Sequence, residues 1–390
     1  MKVLVADALS DAGVTLLRHR FEVDVRTGLP KDQLIAAIGE YDAVVIRSAT
    51  MIDADVLAAA TNLKVIARAG IGLDNVDIDA ATARGVLVCN APQSNIISAA
   101  EHAVALLLSL ARRIPEADSS LRQGQWLRSK LQGVELAGKT VGVMGLGRIG
   151  TLVAQRLMAF GVRLVAYDPY IAPERAARLG IELIPTVMGV CEQADIITLH
   201  LPKTAETAGM IGKAELEALG SGGLLVNAAR GGLVDEAALH IALTEGVIRG
   251  AALDVFDSEP LGDSPLLRLS NVVVTPHLGA STDEAQDKAG TQVAEFVALA
   301  LDGEFVPSAV NVEIGGGIPD AVKDYMPLTL TLGRLFTAVG GGRETSGEVT
   351  VEYHGRIATE DVQALDLSAL RGILTDVVSE PVTFVNAPLI

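Results

Sequence analysis

Three segments late in the chain set polar side chains just past short apolar runs. Val226-Asn-Ala-Ala-Arg230-Gly-Gly carries an arginine, Leu253-Asp254-Val-Phe-Asp-Ser-Glu259-Pro260 carries acids, and Val274-Thr-Pro276-His277-Leu-Gly-Ala-Ser carries a histidine. A planar guanidinium can hold a carboxylate through two parallel hydrogen bonds. An imidazole can exchange a proton near neutral pH, and a carboxylate on its far nitrogen can fix its tautomer. Singly, each residue has an ordinary structural role open to it: Arg230 as an ion-pair partner, Glu259 in a turn, His277 as a hydrogen-bonded core histidine. Together at successive strand ends they form a set with complementary chemistry.

The stretch Lys139 to Asp168 says what such a set serves. Val141, Val143 and Met144 make a short buried strand that runs into Gly145-Leu-Gly147-Arg148-Ile149-Gly150, followed by Leu152, Val153, Arg156 and Leu157 at helical spacing. Gly145 permits the tight turn, Gly147 lets backbone approach a pyrophosphate, and Gly150 lets the helix lie close on the strand. The helix start offers free N–H groups to phosphates. A second strand, Val162 to Tyr167, ends at Asp168, where a carboxylate can accept from ribose hydroxyls and repel a 2′-phosphate. The pattern predicts a dinucleotide site that favours NAD over NADP. Hydride transfer at a carbonyl then needs a group to orient the substrate, one to exchange a proton with oxygen, and one to steady the exchanger.

The elements that position these groups alternate along the chain. Val3 to Ala6, Val23 to Val25, Ala43 to Ile46, Val65 to Ala67 and Val86 to Val88 read as strands, with helical stretches such as Asp32 to Ile38 and Asp53 to Ala60 between them. A long helical pattern spans Ser98 to Leu110, strands recur at Leu164, Ile196 to Leu199, Leu224 to Val226, Ala251 to Leu253 and Val272 to Thr275, and a helix covers Asp283 to Leu301. This rhythm predicts α/β architecture with parallel sheets covered on both faces. After Pro307 come glycine runs at Gly315 to Gly317 and Gly340 to Gly342, a helical stretch at Val322 to Val339, a strand candidate at Glu348 to Tyr353 and a helix near Asp361 to Val377. That tail reads as an accessory module without chemistry of its own.

Composition narrows the functional classes. At 390 residues, two or three domains are expected, and 49% hydrophobic with 20% charged residues is the composition of a packed globular protein. A formal charge of −17 argues against nucleic acid or an anionic membrane as partner, so an anionic substrate must be caught by placed arginines. Two cysteines, Cys89 and Cys191, both in apolar surroundings, suggest a reducing compartment and no disulfide framework or metal site. Asp7 interrupts any signal-like core at the N-terminus, and the apolar run Ala103 to Leu108 is far too short to cross a bilayer. A cytoplasmic protein is the expectation.

By these residues the chain resembles the D-2-hydroxyacid dehydrogenase family, and within it the branch that acts on 3-phospho-D-glycerate. VIRSAT, ARAGIGLDNVDIDAATARG, GLGRIG, YDPY, HLPKT, VNAARGGLVDEAAL and TPHLGAST carry the resemblance from the N-terminus to about Asn311. It implies a Rossmann-like NAD domain over 98–283 and a flavodoxin-like substrate domain over 1–97 completed by 284–308. Both are doubly wound parallel-sheet lobes, and 309–390 forms a partial α+β intervening module. It makes Arg230, Glu259 and His277 catalytic. Cofactor contacts carry over to Arg148, Ile149, Asp168, Leu201, Ala228, Ala229, Arg230, Asp254 and the run His277, Leu278, Gly279, Ala280, with Ile71 at another such position. Arg47 and Arg68 would face the charged end of the substrate, and Arg128 would reach a neighbouring subunit's site in a homodimer or homotetramer. Long-form members continue into an ACT domain that binds serine; the segment from about Glu313 to Ile390 resembles only the start of the intervening domain, so whether serine regulates this chain stays open.

The expected reaction is NAD-dependent oxidation of 3-phospho-D-glycerate to 3-phosphooxypyruvate, the first step of the phosphorylated route to L-serine. Arg230 would clamp the C1 carboxylate, His277 would take the C2 hydroxyl proton, Glu259 would hold the far imidazole nitrogen and Asp254 would orient the nicotinamide end. Two alternatives stay open at this point: a reductase for hydroxypyruvate, glyoxylate or 2-oxoglutarate, and a non-catalytic NAD-sensing protein like the corepressors built on this scaffold.

Overall fold

Apolar runs of four or five residues that are buried on both faces build parallel sheets, and two such sheets organise the protein. The structure is a computed structural model that describes residues 1–312, 319–340, 349–378 and 382–390. The chain divides into two compact units, Met1–Ser94 with Asp283–Ile390, and Asn95–Thr282.

In the first unit, β1 (Lys2–Val5), β2 (Glu22–Val25), β3 (Ala43–Ile46), β4 (Val65–Arg68) and β5 (Leu87–Asn90) form a parallel sheet in the order β2-β1-β3-β4-β5. The order reverses between β1 and β3, where open α/β sheets collect ligands beyond the carboxyl ends of their strands. Strands β3 and β5 are buried at every position, whereas the edge strand β2 is not. Helix Asp283–Leu301 returns late in the chain to cover one face, packing Val293 and Val297 with Val3, Val5 and Ala67. Helices Lys31–Ile38, Ala54–Ala59 and Ile78–Ala83 cover the other through Leu34, Val56 and Ala81.

The tail of this unit differs from its sequence-based expectation. The helix expected over Val322 to Val339 is two helices, Asp320–Lys323 and Met326–Val339, because Pro327 has no N–H to donate and is tolerated only in a first turn. Residues 349–353 form no strand; with no partner strand among the described residues to complete a ladder, Tyr353 instead donates its hydroxyl to Asp366 Oδ1 at 2.8 Å. Gly315 to Gly317, Gly341, Gly342 and Glu348 lie outside the described residues. Helices Met326–Val339 and Gln363–Leu374 approach closely at Gly333 and Gly372, where a Cβ on either would run into the other helix's backbone. Arg371 ties this pair to the rest of the unit by donating to Gly303 O at 2.7 Å.

The second unit holds β6 (Thr140–Met144), β7 (Arg163–Tyr167), β8 (Glu182–Leu183), β9 (Ile196–Leu199), β10 (Leu224–Asn227), β11 (Gly250–Leu253) and β12 (Val272–Val274). Their parallel order is β12-β11-β10-β9-β6-β7-β8, with the reversal between β6 and β9. Side chains alternate strictly between two cores: Leu224, Val226 and Ala252 join one with helix Ile96–Ala111, while Leu225, Ala251 and Leu253 join the other with Leu239 and Leu243. Truncating such a buried leucine to alanine costs about 2–5 kcal/mol. Among the described residues no helix is long and apolar enough to cross a membrane.

Candidate active site

Polar groups and tight turns line the carboxyl edge of the seven-stranded sheet, and the glycine turn after β6 is the first of them. Gly145 has φ +96°, and a Cβ there would lie 2.7 Å from His200 O. A Cβ on Gly150 would collide with Gly145 O, so only glycine lets helix Arg148–Met158 start this close to the turn. The side of Gly147 is open, and the helix has no side-chain cap. Arg148 and Ile149 begin that helix, and Leu201, just past β9, lies against Gly145.

Asp168 follows β7 and does more than the sequence suggests. Its Oδ2 accepts the Leu146 N–H at 2.7 Å, while Oδ1 accepts those of Tyr170 at 2.9 Å and Ile171 at 3.2 Å. The acid therefore ties the glycine turn to the next strand end and retains one lone pair, on Oδ2, for a hydroxyl donor. The open face at Gly147, the uncapped helix start and this carboxylate fit a dinucleotide.

Past β10, Ala228, Ala229 and Arg230 form a turn held from inside by buried Asn227. Its Oδ1 accepts the Ala229 N–H at 3.1 Å and its amide donates to Arg230 O at 2.9 Å. The Arg230 guanidinium donates to Ala229 O at 2.9 Å. The following residue has no room for a side chain: a Cβ on Gly231 would run into Phe256 O, which seats this turn against the next strand's loop.

Asp254, just past β11, is 1% exposed and acts as a staple. It accepts from Thr275 Oγ1 at 2.5 Å, from the Leu278 N–H at 2.7 Å and from the Gly279 N–H at 2.9 Å. His102 Nε2 lies 3.0 Å from its Oδ1 and 3.1 Å from Thr275 Oγ1. Burial pushes the Asp254 carboxyl upward, but the hydrogen bonds from His102, Thr275 and Leu278 outweigh it and hold the group below its ordinary value. The turn His277 to Ala280 thus hangs on one buried carboxylate.

That turn presents the histidine. His277 has φ 54°, a left-handed conformation that costs an ordinary residue about 1–2 kcal/mol. Two acceptors for its N–H, Asp254 O at 2.9 Å and Thr275 O at 3.1 Å, offset that strain. Its Nδ1 lies 2.6 Å from Glu259 Oε2, and Glu259 Oε1 in turn accepts the Phe256 N–H at 3.0 Å. A carboxylate can only accept, so Nδ1 carries the hydrogen and Nε2 presents a lone pair. Both side chains border a cleft of about 330 Å³ lined by Phe256, Leu261, Leu267 and Pro276.

Not every expected residue joins this group. Arg128 sits in the turn Arg128–Lys130 and shares a different concavity with Trp126, Ser129 and Gln132. Arg47, Arg68 and Ile71 belong to the first unit, at the carboxyl ends of β3 and β4. Sequence reasoning passes over His102, Thr275 and His200. The dipeptide Thr275-Pro276 beside the histidine is the available signal for Thr275; His102 lies on an apolar helix with no local signal. His200 lies behind the glycine turn, and desolvation pushes its imidazole down to about 4.

The sequence and the fold have known relatives. Residues 104–279 match the profile of the D-isomer specific 2-hydroxyacid dehydrogenase NAD binding domain, and residues 321–390 that of the D-3-phosphoglycerate dehydrogenase intervening domain. The D-3-phosphoglycerate dehydrogenase of Mycobacterium tuberculosis is 58% identical over 99% of this chain and 72% of its own. That of Methanocaldococcus jannaschii is 44% identical over 100% of this chain and 74% of its own. A solved Thermus thermophilus protein superposes with TM-score 0.74 at 36% identity, covering 80% of this chain and all of that one. The Sinorhizobium meliloti NADPH-dependent glyoxylate/hydroxypyruvate reductase, solved with NADP and malonate, gives TM-score 0.69 at 32% identity over 79% of this chain and 96% of that one. With a matching dinucleotide sheet and relatives aligned along nearly its whole length, the chain belongs to the D-isomer specific 2-hydroxyacid dehydrogenase family, in its D-3-phosphoglycerate dehydrogenase branch.

Proposed function

We propose that the protein oxidises 3-phospho-D-glycerate to 3-phosphooxypyruvate with NAD⁺, the reaction that opens the phosphorylated route to L-serine. The observation that carries the chemistry is the 2.6 Å bond between His277 Nδ1 and Glu259, which leaves Nε2 as a base on a sheet edge that also bears the dinucleotide turn. His277 Nε2 takes the proton from the C2 hydroxyl, and Glu259 stabilises the imidazolium so formed. Arg230 holds the C1 carboxylate and polarises the C2 oxygen. The bound nicotinamide supplies the hydride acceptor. Asp254 keeps the His277 turn in place and so aligns the base, while Asp168 receives the adenosine ribose and disfavours a 2′-phosphate.

The phosphate end falls to Arg47 and Arg68, with Arg128 offered to a neighbouring subunit of a homodimer or homotetramer. The three-part division into 1–97 with 284–308, 98–283, and 309–390 is kept as the working domain scheme, supported at its end by the intervening-domain match. A cytoplasmic location agrees with two buried thiols whose burial pushes them up to about 12, leaving them inert as nucleophiles. The test is a panel of phosphooxypyruvate, hydroxypyruvate, glyoxylate and 2-oxoglutarate scored by NADH oxidation. The highest kcat/KM on phosphooxypyruvate is expected; a preference for an unphosphorylated acid would overturn the assignment.

A further inference from the structure

We propose that Asn75 is a positioning residue that fixes Arg47 and thereby sets the preference for a phosphorylated substrate; the inference rests on the role given above to Arg47. The turn from Arg47 to Thr50 leaves β3 beside the reversal of the five-stranded sheet. Its polar backbone groups are taken up by two side chains of opposite character. Asp7, 6% exposed, accepts the Arg47 N–H at 2.6 Å and the Thr50 N–H at 3.1 Å through Oδ2, and the Thr50 hydroxyl at 2.7 Å through Oδ1. Asn75 donates its amide to Arg47 O at 2.7 Å and to Thr50 O at 2.5 Å. Both peptide groups flanking the Arg47 Cα are therefore pinned, one by an acceptor and one by a donor.

The amide of Asn75 can only be oriented this way, because reversing it would aim its oxygen at two carbonyls. In this orientation Asn75 Oδ1 is buried with no hydrogen-bond partner among the described residues, an unfavourable state that the two donated bonds offset. The Asn75 backbone is itself anchored, its carbonyl accepting the Ile52 N–H at 2.9 Å. By contrast the Arg47 guanidinium has only long contacts among the described residues, 3.5 Å to Ala8 O and 3.5 Å to Gln286 Oε1. A rigid base under a lightly held cationic head is what capture of a mobile anionic group requires. Asn75 also belongs to the loop after β4, where Arg68 donates to Gly72 O, so one amide joins the two arginine-bearing loops.

The test compares the parent enzyme with Asn75→Ala, Asn75→Asp, Arg47→Ala and the Asn75→Ala/Arg47→Ala double variant, each confirmed folded by thermal unfolding. Asn75→Ala should raise KM for phosphooxypyruvate about tenfold and leave kcat and KM for hydroxypyruvate nearly unchanged. Asn75→Asp matches the side chain in shape yet has no donors when ionised, so it should do the same; parent-like kinetics in that variant would overturn the proposal. The double variant should show no higher KM than Arg47→Ala alone, since Asn75 acts through Arg47. Additive effects, or equal losses on both substrates, would also overturn it. If Arg47→Ala itself keeps the phosphate preference, the reading of Arg47 fails and this proposal with it; if Arg47→Ala loses the preference while Asn75→Ala retains it, only the proposal fails.

Discussion

Replacing Glu259 by glutamine removes a charge while keeping the shape, and it sets the new amide between two hydrogen-bond donors. Both carboxylate oxygens are committed, Oε2 to His277 Nδ1 at 2.6 Å and Oε1 to the Phe256 N–H at 3.0 Å. Glutamine has one oxygen and one amino group. If its oxygen keeps the Phe256 bond, the amino group faces Nδ1 and forces the hydrogen to Nε2, the wrong tautomer for proton abstraction. If its oxygen faces Nδ1, the amino group confronts a backbone N–H. Added to this is the lost charge: a hydrogen bond to a charged group is worth about 1.5–3 kcal/mol, which is roughly ten- to a hundredfold in rate. The imidazole is 46% exposed and the carboxylate 35%, so solvent screening places the charge effect near the lower end, about tenfold in kcat. The assay is kcat in the oxidation direction, with NADH affinity by fluorescence titration as the control. Parent-like kcat would refute the partnership of Glu259 with His277.

Three further outcomes are expected. His277→Ala and His277→Asn should both lower kcat by roughly 10²–10⁴-fold while NADH affinity holds; asparagine tolerates the left-handed backbone that alanine does not, so near-normal turnover in His277→Asn would remove the imidazole from the mechanism. Asp168→Ala should weaken NADH binding and narrow the preference over NADPH, as read by titration of both cofactors, whereas a parent enzyme that prefers NADPH would contradict the reading of this strand end. His200 lies near 4 when folded against 6.5 as its ordinary value, so between those limits the unfolded chain binds the extra proton. Its contribution is complete above about pH 6.5 and lost as pH falls to about 4, at most about 3 kcal/mol. The thermal midpoint of His200→Gln should fall less than the parent's across that window, and parallel curves would sink the argument.

The sheets are legible because buried parallel strands are written as short apolar runs, so Ala43–Ile46 and Ile196–Leu199 appear in the structure with the limits their residues suggest. Helix Asp283–Leu301 is equally plain, since its length gives periodicity room to show. Pro173–Arg178, Val187–Cys191 and Lys213–Leu219 escape detection; five to seven residues are under two turns and leave no periodic signature. Glu348 to Tyr353 alternates like a strand, but alternation describes one partner of a ladder and says nothing about whether the other exists. At the site, the residues with distinctive chemistry stand out, while those that hold them do not. The family resemblance marks Asp254 as a cofactor contact, and its bonds to Leu278 and Gly279 add a second role, support of the histidine turn. Asp7 and Asn75 are invisible for the same reason, because a side chain that satisfies the backbone of a distant loop leaves no local trace.

The continuous segment Asn95–Thr282 carries the glycine turn, Asp168, Arg230, Asp254, Glu259 and His277, while Arg47 and Arg68 come from the other unit. On the proposed roles, proton transfer and the grip on the C1 carboxylate are inherited on one stretch of gene, and two of the three arginines assigned to the phosphate on another. Codons before position 95 can then retune part of the grip on the phosphate with the proton-transfer machinery untouched. Selection on substrate and selection on turnover can proceed with little interference, which gives such a scaffold unusual scope to diversify.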